Sequence, residues 1–189
     1  MNLLQLLPIG NIERRLLEGL QAAIPQRLCV KCEILPGVFD PEPAFHAERK
    51  QYHSSDILRG MQGLAERQWR LLGVASVDLY IPILKYVFGE AQIGGPCAVV
   101  STYRLRQEFY GLERDDELLS QRLLKESVHE LGHTLNLRHC EDYRCVMASA
   151  HAVDWIDLRE STLCEVCRVR AQSNAAETET GIRIISSIR

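Results

Sequence analysis

The stretch HELGHTLNLRHC, residues 129–140, holds three histidines, a glutamate and a cysteine. His129 and His133 are spaced i, i+4, which on a helix places them on one face about a turn apart. Two imidazoles so placed converge on a single zinc at about 2.0–2.1 Å from each nitrogen. Glu130 is rotated off that direction, near enough to hydrogen-bond a water on the metal without ligating it, as the H-E-x-x-H pattern requires of a general base. His139 would lie about 9 Å further along the axis if the helix continued. It reaches the same metal only if the helix stops and the chain turns back. Such a turn needs a left-handed residue, a conformation that glycine fills most easily and asparagine next. Asn136 stands at that position.

The cysteines form a second constellation. Cys140 and Cys145 make C-x4-C and, after a longer loop, Cys164 and Cys167 make C-x2-C. Four thiolates in two close pairs suit a closed, structural zinc site. Disulfides are the alternative, and the start of the chain, MNLLQLLPIGN, with no basic leader and too short an apolar run for export, favours reduced thiols. In a non-helical segment successive side chains point opposite ways, so His139 faces one metal and Cys140 the other. Cys29 and Cys32 repeat the C-x2-C spacing. On a strand, however, residues three apart face opposite sides, which is poor chelating geometry. Cys97 reads as a packed small residue, His46 and His53 as surface histidines, and His151 as bordering the cleft.

These groups need a scaffold. Leu118, Leu119, Leu123, Val128, Leu131 and Leu135 recur at helical intervals, with Asp115 or Asp116 as the cap, so a helix is expected from about Asp116 to Leu135. NLLQLLPIG reads as a first strand ended by Pro8 and Gly10, NIERRLLEGLQAAI as an amphipathic helix capped by Asn11, and RLCVKCEIL as a strand. SSDILRGMQGLAERQW reads as a second helix capped by Ser54 or Ser55, and ASVDLYIPIL and PCAVVSTYRL as further strands. A short helix is expected around the last two cysteines. The order predicts an α/β (α+β) fold, a mixed twisted sheet with packed helices.

The run from His129 to Cys167, H-E-x-x-H-x-x-N-x-x-H-C-x4-C-x-M and then C-x2-C, resembles the archaemetzincins, a branch of the metzincin zinc peptidases, and spans about a fifth of the chain. Asn136 departs from the glycine usual in that family. The resemblance implies His129, His133 and His139 as ligands of a catalytic zinc, Glu130 as general base and acid, and Met147 as the methionine of a turn beneath the metal. It assigns Cys140, Cys145, Cys164 and Cys167 to a second, structural zinc, giving two Zn2+ in all. It also implies one metzincin-like domain over 1–189. Residues 1–135, active-site helix included, would form the N-terminal part, and 136–189 a smaller C-terminal subdomain. An edge strand beside the cleft, read as CAVVSTYRL, would pair with an extended peptide.

With three neutral histidine ligands, zinc keeps its full charge and an open position for a water whose pKa falls to about 7. The expected reaction is hydrolysis of peptide bonds, with Glu130 taking the proton from that water and passing it to the departing amine. The alternative is a zinc-stabilised peptide-binding module with an idle or latent site. The chain has 189 residues, 46% of them hydrophobic and 25% charged, enough for one core, and its net charge of −3 gives no general attraction to nucleic acid. A cytoplasmic monomer acting on peptides or proteins, without nucleic-acid or membrane partners, is the expectation.

Overall fold

The computed structural model describes residues 3–65 and 69–174. Residues 66–68, inside the second expected helix, and 175–189, inside the expected C-terminal subdomain, lie outside that range. Among the described residues the elements are β1 (Leu3–Ile9), α1 (Arg14–Ala23), α2 (Pro25–Leu28), β2 (Lys31–Ile34), β3 (Phe45–His46), β4 (Gln51–His53) and α3 (Ser54–Met61). There follow β5 (Trp69–Ala75), β6 (Leu79–Tyr80), β7 (Gly89–Ala91), β8 (Cys97–Ser101), α4 (Asp116–Thr134) and α5 (Val153–Leu158), then a helix α6 over 165–174.

Five strands form the main sheet in the order β2-β1-β5-β8-β7. The first four run parallel, and β7 closes the edge antiparallel to β8. A small sheet, β3-β4-β6, lies apart from it. Alternate residues of the main strands serve two cores. Leu4, Leu6, Leu72, Val74, Ala98 and Val100 cluster with Leu16, Leu17 and Leu20 of α1 and with Leu119, Leu123 and Leu131 of α4. Leu7, Ile9, Leu71, Ala75, Cys97 and Val99 cluster with Ile57, Leu58 and Met61 of α3. With both faces covered, these strands are apolar at nearly every position, as parallel sheets are.

Helix α4 begins as expected, the Asp115 carboxylate accepting from the Leu118 amide at 2.9 Å, and ends at Thr134, one residue early. Other expectations are corrected. β1 runs through Pro8 to Ile9, because β2 ends opposite Leu6 and the amide that proline lacks has no strand to meet there. The cap of α1 is Glu13 rather than Asn11, and that of α3 is His53 rather than either serine. ASVDLYIPIL supplies only the two residues of β6, whereas the long strand is β5, which the helical reading of 54–69 and the start of the next strand at Ala75 had passed over. PCAVVSTYRL yields β8, but β8 lies between β5 and β7 and is no edge. Cys29 is not on a strand: it caps α2 with φ 52°.

At Gly73 of β5, side chains from β1 and α3 close over the backbone. A Cβ there would sit 2.5 Å from Ile9 Cδ1 and 2.9 Å from Met61 Sδ. Gly73→Ala is therefore expected to cost about 1–3 kcal/mol, read as a shift in the urea unfolding midpoint at unchanged slope.

Candidate active site

Helix α4 carries His129 and His133 one turn apart, with their Nε2 atoms 3.2 Å from each other. Both Nδ1 atoms donate to backbone: His129 to the Val146 carbonyl at 2.8 Å and His133 to the Leu137 carbonyl at 2.8 Å. An imidazole protonated at Nδ1 presents a bare lone pair at Nε2. In that tautomer the 3.2 Å contact sets lone pair against lone pair, an arrangement that a cation between them relieves. Such a donor set has the chemistry to hold a metal ion, with backbone carbonyls orienting the rings of His129 and His133. Burial lowers the pKa of all three histidines, most strongly for His129, which also faces Arg159. The neutral, ligating form is favoured.

His139 joins them because α4 ends in a tight reversal. Asn136 takes φ 61°. Its amide bonds to the His133 carbonyl at 2.9 Å, and the Leu137 amide bonds to the Gly132 carbonyl at 3.1 Å, the double closure of a Schellman motif. The Gly94 amide, from the loop after β7, caps His133 as well, at 2.9 Å. The asparagine thus supports the turn, and one ring nitrogen from each of His129, His133 and His139 lies within 4.8 Å of the others. Met147 is buried in the following turn, packed on Gly132, where an added Cβ would meet its Sδ at 2.3 Å.

Behind the histidines, Cys140, Cys145, Cys164 and Cys167 bring four sulfurs within 4.8 Å of one another. The Cys140–Cys164 sulfur distance is 3.8 Å. Tetrahedral thiolates about 2.3 Å from zinc stand roughly 3.8 Å apart, so the residues fit the ion. The Cys140 amide bonds to the Met147 carbonyl at 2.9 Å, and the Cys145 sulfur accepts from the Cys164 amide at 3.3 Å. The two clusters therefore share one short backbone segment. A backbone hydrogen bond from Cys167 holds the Cys164 thiol below its ordinary pKa, while burial pushes up Cys145 and Cys167. Cys29 and Cys32 belong to neither cluster; burial raises Cys32 to about 12. Cys97 is fully buried, as a packing residue would be.

Glu130 is buried beside the triad, in a cleft of about 680 Å³. Burial raises its carboxyl well above the usual range, Glu126 and Glu90 add to the rise, and Arg159 opposes it. Arg159, from the end of α5, is buried with Glu126 as its ion-pair partner. It also donates to the carbonyls of Val146 and Ala148 at 3.1 and 2.8 Å. Its Nη1 lies 2.9 Å from His129 Nδ1. With the Nδ1 proton on Val146 the two groups only abut; in the other tautomer Arg159 donates to Nδ1.

The edge strand beside this cleft is β7. Gly89 faces Glu130 so closely that a Cβ would come within 2.7 Å of its Cγ and 2.7 Å of the Val99 carbonyl. The next residue, Glu90, accepts from Ser54 and Ser55 at the start of α3, at 2.5 and 2.8 Å. Gly89, Glu90, Glu126 and Arg159 went unread in the sequence; only the i, i+4 spacing of Glu126 and Glu130 pointed to any of them. His151 lines the cleft as expected, and His46 is exposed. His53 is half-buried rather than at the surface, its Nδ1 2.9 Å from Asp56.

The model of "Peptidase family M54" matches residues 23–173. The chain is 38% identical over 165 residues to the archaemetzincin of Methanocaldococcus jannaschii, covering 87% of this chain and 90% of that one. Among solved structures it resembles the archaemetzincin of Archaeoglobus fulgidus complexed with malonate, at TM-score 0.78 and 32% identity over 89% of this chain and 99% of that one. It also resembles a zinc-dependent peptidase from Methanocorpusculum labreanum, at TM-score 0.83 and 26% identity over 89% and 99%. Among the described residues no helix is long and apolar enough to cross a membrane.

Two outcomes follow from the packing. Gly89→Ala is expected to lower stability by about 1–3 kcal/mol and to displace the Glu130 carboxylate, visible by crystallography as a changed Glu130 rotamer. Cys164→Ser leaves three thiolates around the second cluster; thermal unfolding should move several degrees down and bound metal should fall, whereas a variant melting like wild type would rule out a structural role.

Proposed function

The chain belongs to peptidase family M54 as an archaemetzincin, a zinc metallopeptidase, and on that premise we propose that His129, His133 and His139 hold its catalytic zinc while Glu130 moves the proton. The observation that carries the reading is the convergence of one ring nitrogen from each of three histidines within 4.8 Å, with the Nδ1 atoms of His129 and His133 each 2.8 Å from a backbone carbonyl. A zinc held there supplies a dipositive Lewis acid, which polarises the scissile carbonyl and acidifies a water. The chain's own residues do the rest. Glu130 accepts a proton from the attacking water and passes it to the departing amine.

The backbone of β7, at the sheet edge, aligns an extended peptide in the cleft by strand addition. Gly89 lets that strand lie directly over Glu130. Cys140, Cys145, Cys164 and Cys167 hold a second, structural zinc, and Met147 packs beneath the triad on Gly132. Together they fix the direction from which His139 approaches.

The test is product analysis by mass spectrometry of a mixed peptide library, with Glu130→Ala as control. Turnover should fall by roughly 10²–10⁴-fold while elemental analysis finds the zinc content unchanged. Loss of zinc from that variant would overturn the role given to Glu130. Tight peptide binding without products from wild type would favour a binding module with an idle site.

A further inference from the structure

A side chain joins two walls of the cleft. The Tyr86 hydroxyl, from the segment leading into β7, donates to the His151 carbonyl, beyond the Met147 turn, at 3.0 Å. Both residues line the same cavity as Glu130. The tyrosine is held in that pose from several sides. The Arg104 guanidinium lies 4.1 Å from its ring centre, and Arg104 is itself locked to Asp78 by two bonds of 2.6 and 2.7 Å. Phe88 packs edge-on against the ring, with centroids 5.4 Å apart. The backbone just before Tyr86 is pinned as well, the Lys85 carbonyl accepting from Arg49 at 2.9 Å and Gln51 at 3.0 Å.

Position along the wall gives this bridge its meaning. Gly89 stands over Glu130, and Gly94 meets His133 at the end of α4, so the wall runs from Tyr86 past the catalytic glutamate towards Ile93. Tyr86 stands three positions before Gly89, a span of no more than about 10 Å, or roughly three residues of extended peptide. A peptide paired antiparallel with β7, the slightly stronger pairing, directs its C-terminal part at the bridge.

We propose that Tyr86 is a specificity-determining residue that closes the cleft with His151 and limits substrates to about three residues beyond the scissile bond. The proposal rests on the peptidase reading and names its substrate class: peptides cut close to the C-terminus. At the opposite end the wall meets α4 backbone to backbone, the Gly94 amide donating to the His133 carbonyl at 2.9 Å, and no length limit follows from Tyr86 on the N-terminal side.

The experiment uses two ladders of synthetic peptides sharing one scissile bond, one lengthened on its C-terminal side and the other on its N-terminal side. Cleavage is measured with the zinc-loaded wild type, and affinity with the zinc-loaded Glu130→Ala. On the C-terminal ladder both should fall by about tenfold or more, ~1.4 kcal/mol, once the extension passes the bridge, and the N-terminal ladder should stay flat. Tyr86→Ala should lift the limit. Tyr86→Phe, which keeps the ring on Arg104 and loses only the bond to His151, should lift it in part. A flat C-terminal ladder, a limit on the N-terminal side, or a limit that both variants leave in place would overturn the proposal. A length limit seen in binding with no cleavage by wild type would instead count against the peptidase reading and leave the role of Tyr86 standing.

Discussion

Everything chemical in this protein depends on where α4 stops. The helix delivers His129, Glu130 and His133, but the third histidine, the first cysteine and the methionine turn all come from the chain beyond it. They reach the same place only because Asn136 reverses the backbone with φ 61°. A β-branched or bulky residue would resist that conformation. Asparagine accepts it, and two backbone bonds, Asn136 to His133 and Leu137 to Gly132, close the turn. The reversal also points the Leu137 carbonyl at His133, so one local event both redirects the chain and sets a tautomer.

A buried charge network stands behind that geometry. Arg159 joins the active-site helix, through Glu126, to the carbonyls of Val146 and Ala148. Removing one member of such a pair strands the other without water and typically costs about 3–5 kcal/mol. The Val146 carbonyl receives both Arg159 and His129. The methionine turn, the ion pair and the orientation of the first histidine are thus one mechanical unit. The same ion pair places a positive charge near Glu130 that offsets part of the repulsion from Glu126 and Glu90.

The cleft takes its shape from small residues as much as from reactive ones. Gly89 and Gly132 each stand where a single methyl would collide, one with Glu130 and the other with Met147. Their absent side chains let the edge strand approach the helix from one side and the methionine turn from the other. The room around Glu130 and Met147 is therefore set by backbone-to-side-chain contact, which tolerates little displacement.

The sequence by itself determined what local rules govern. The spacing of His129, Glu130 and His133 along a helix, the start of that helix at its aspartate cap, the left-handed turn at Asn136 and the two pairs of cysteines are each set by residues a few positions apart. Period and propensity act over that range. Tertiary structure decided what depends on neighbours distant in the chain. Strand β5 was passed over because a short apolar run buried on both faces has no period to distinguish it from a helix, and β8 proved interior because strand order is not written in any one strand. Glu90, Arg159 and Tyr86 are ordinary surface-type residues in sequence. They become cleft residues only because β7, α5 and the segment before β7 close around the end of α4, and contacts across 33 positions, as between Glu126 and Arg159, or 65, as between Tyr86 and His151, leave no local signature.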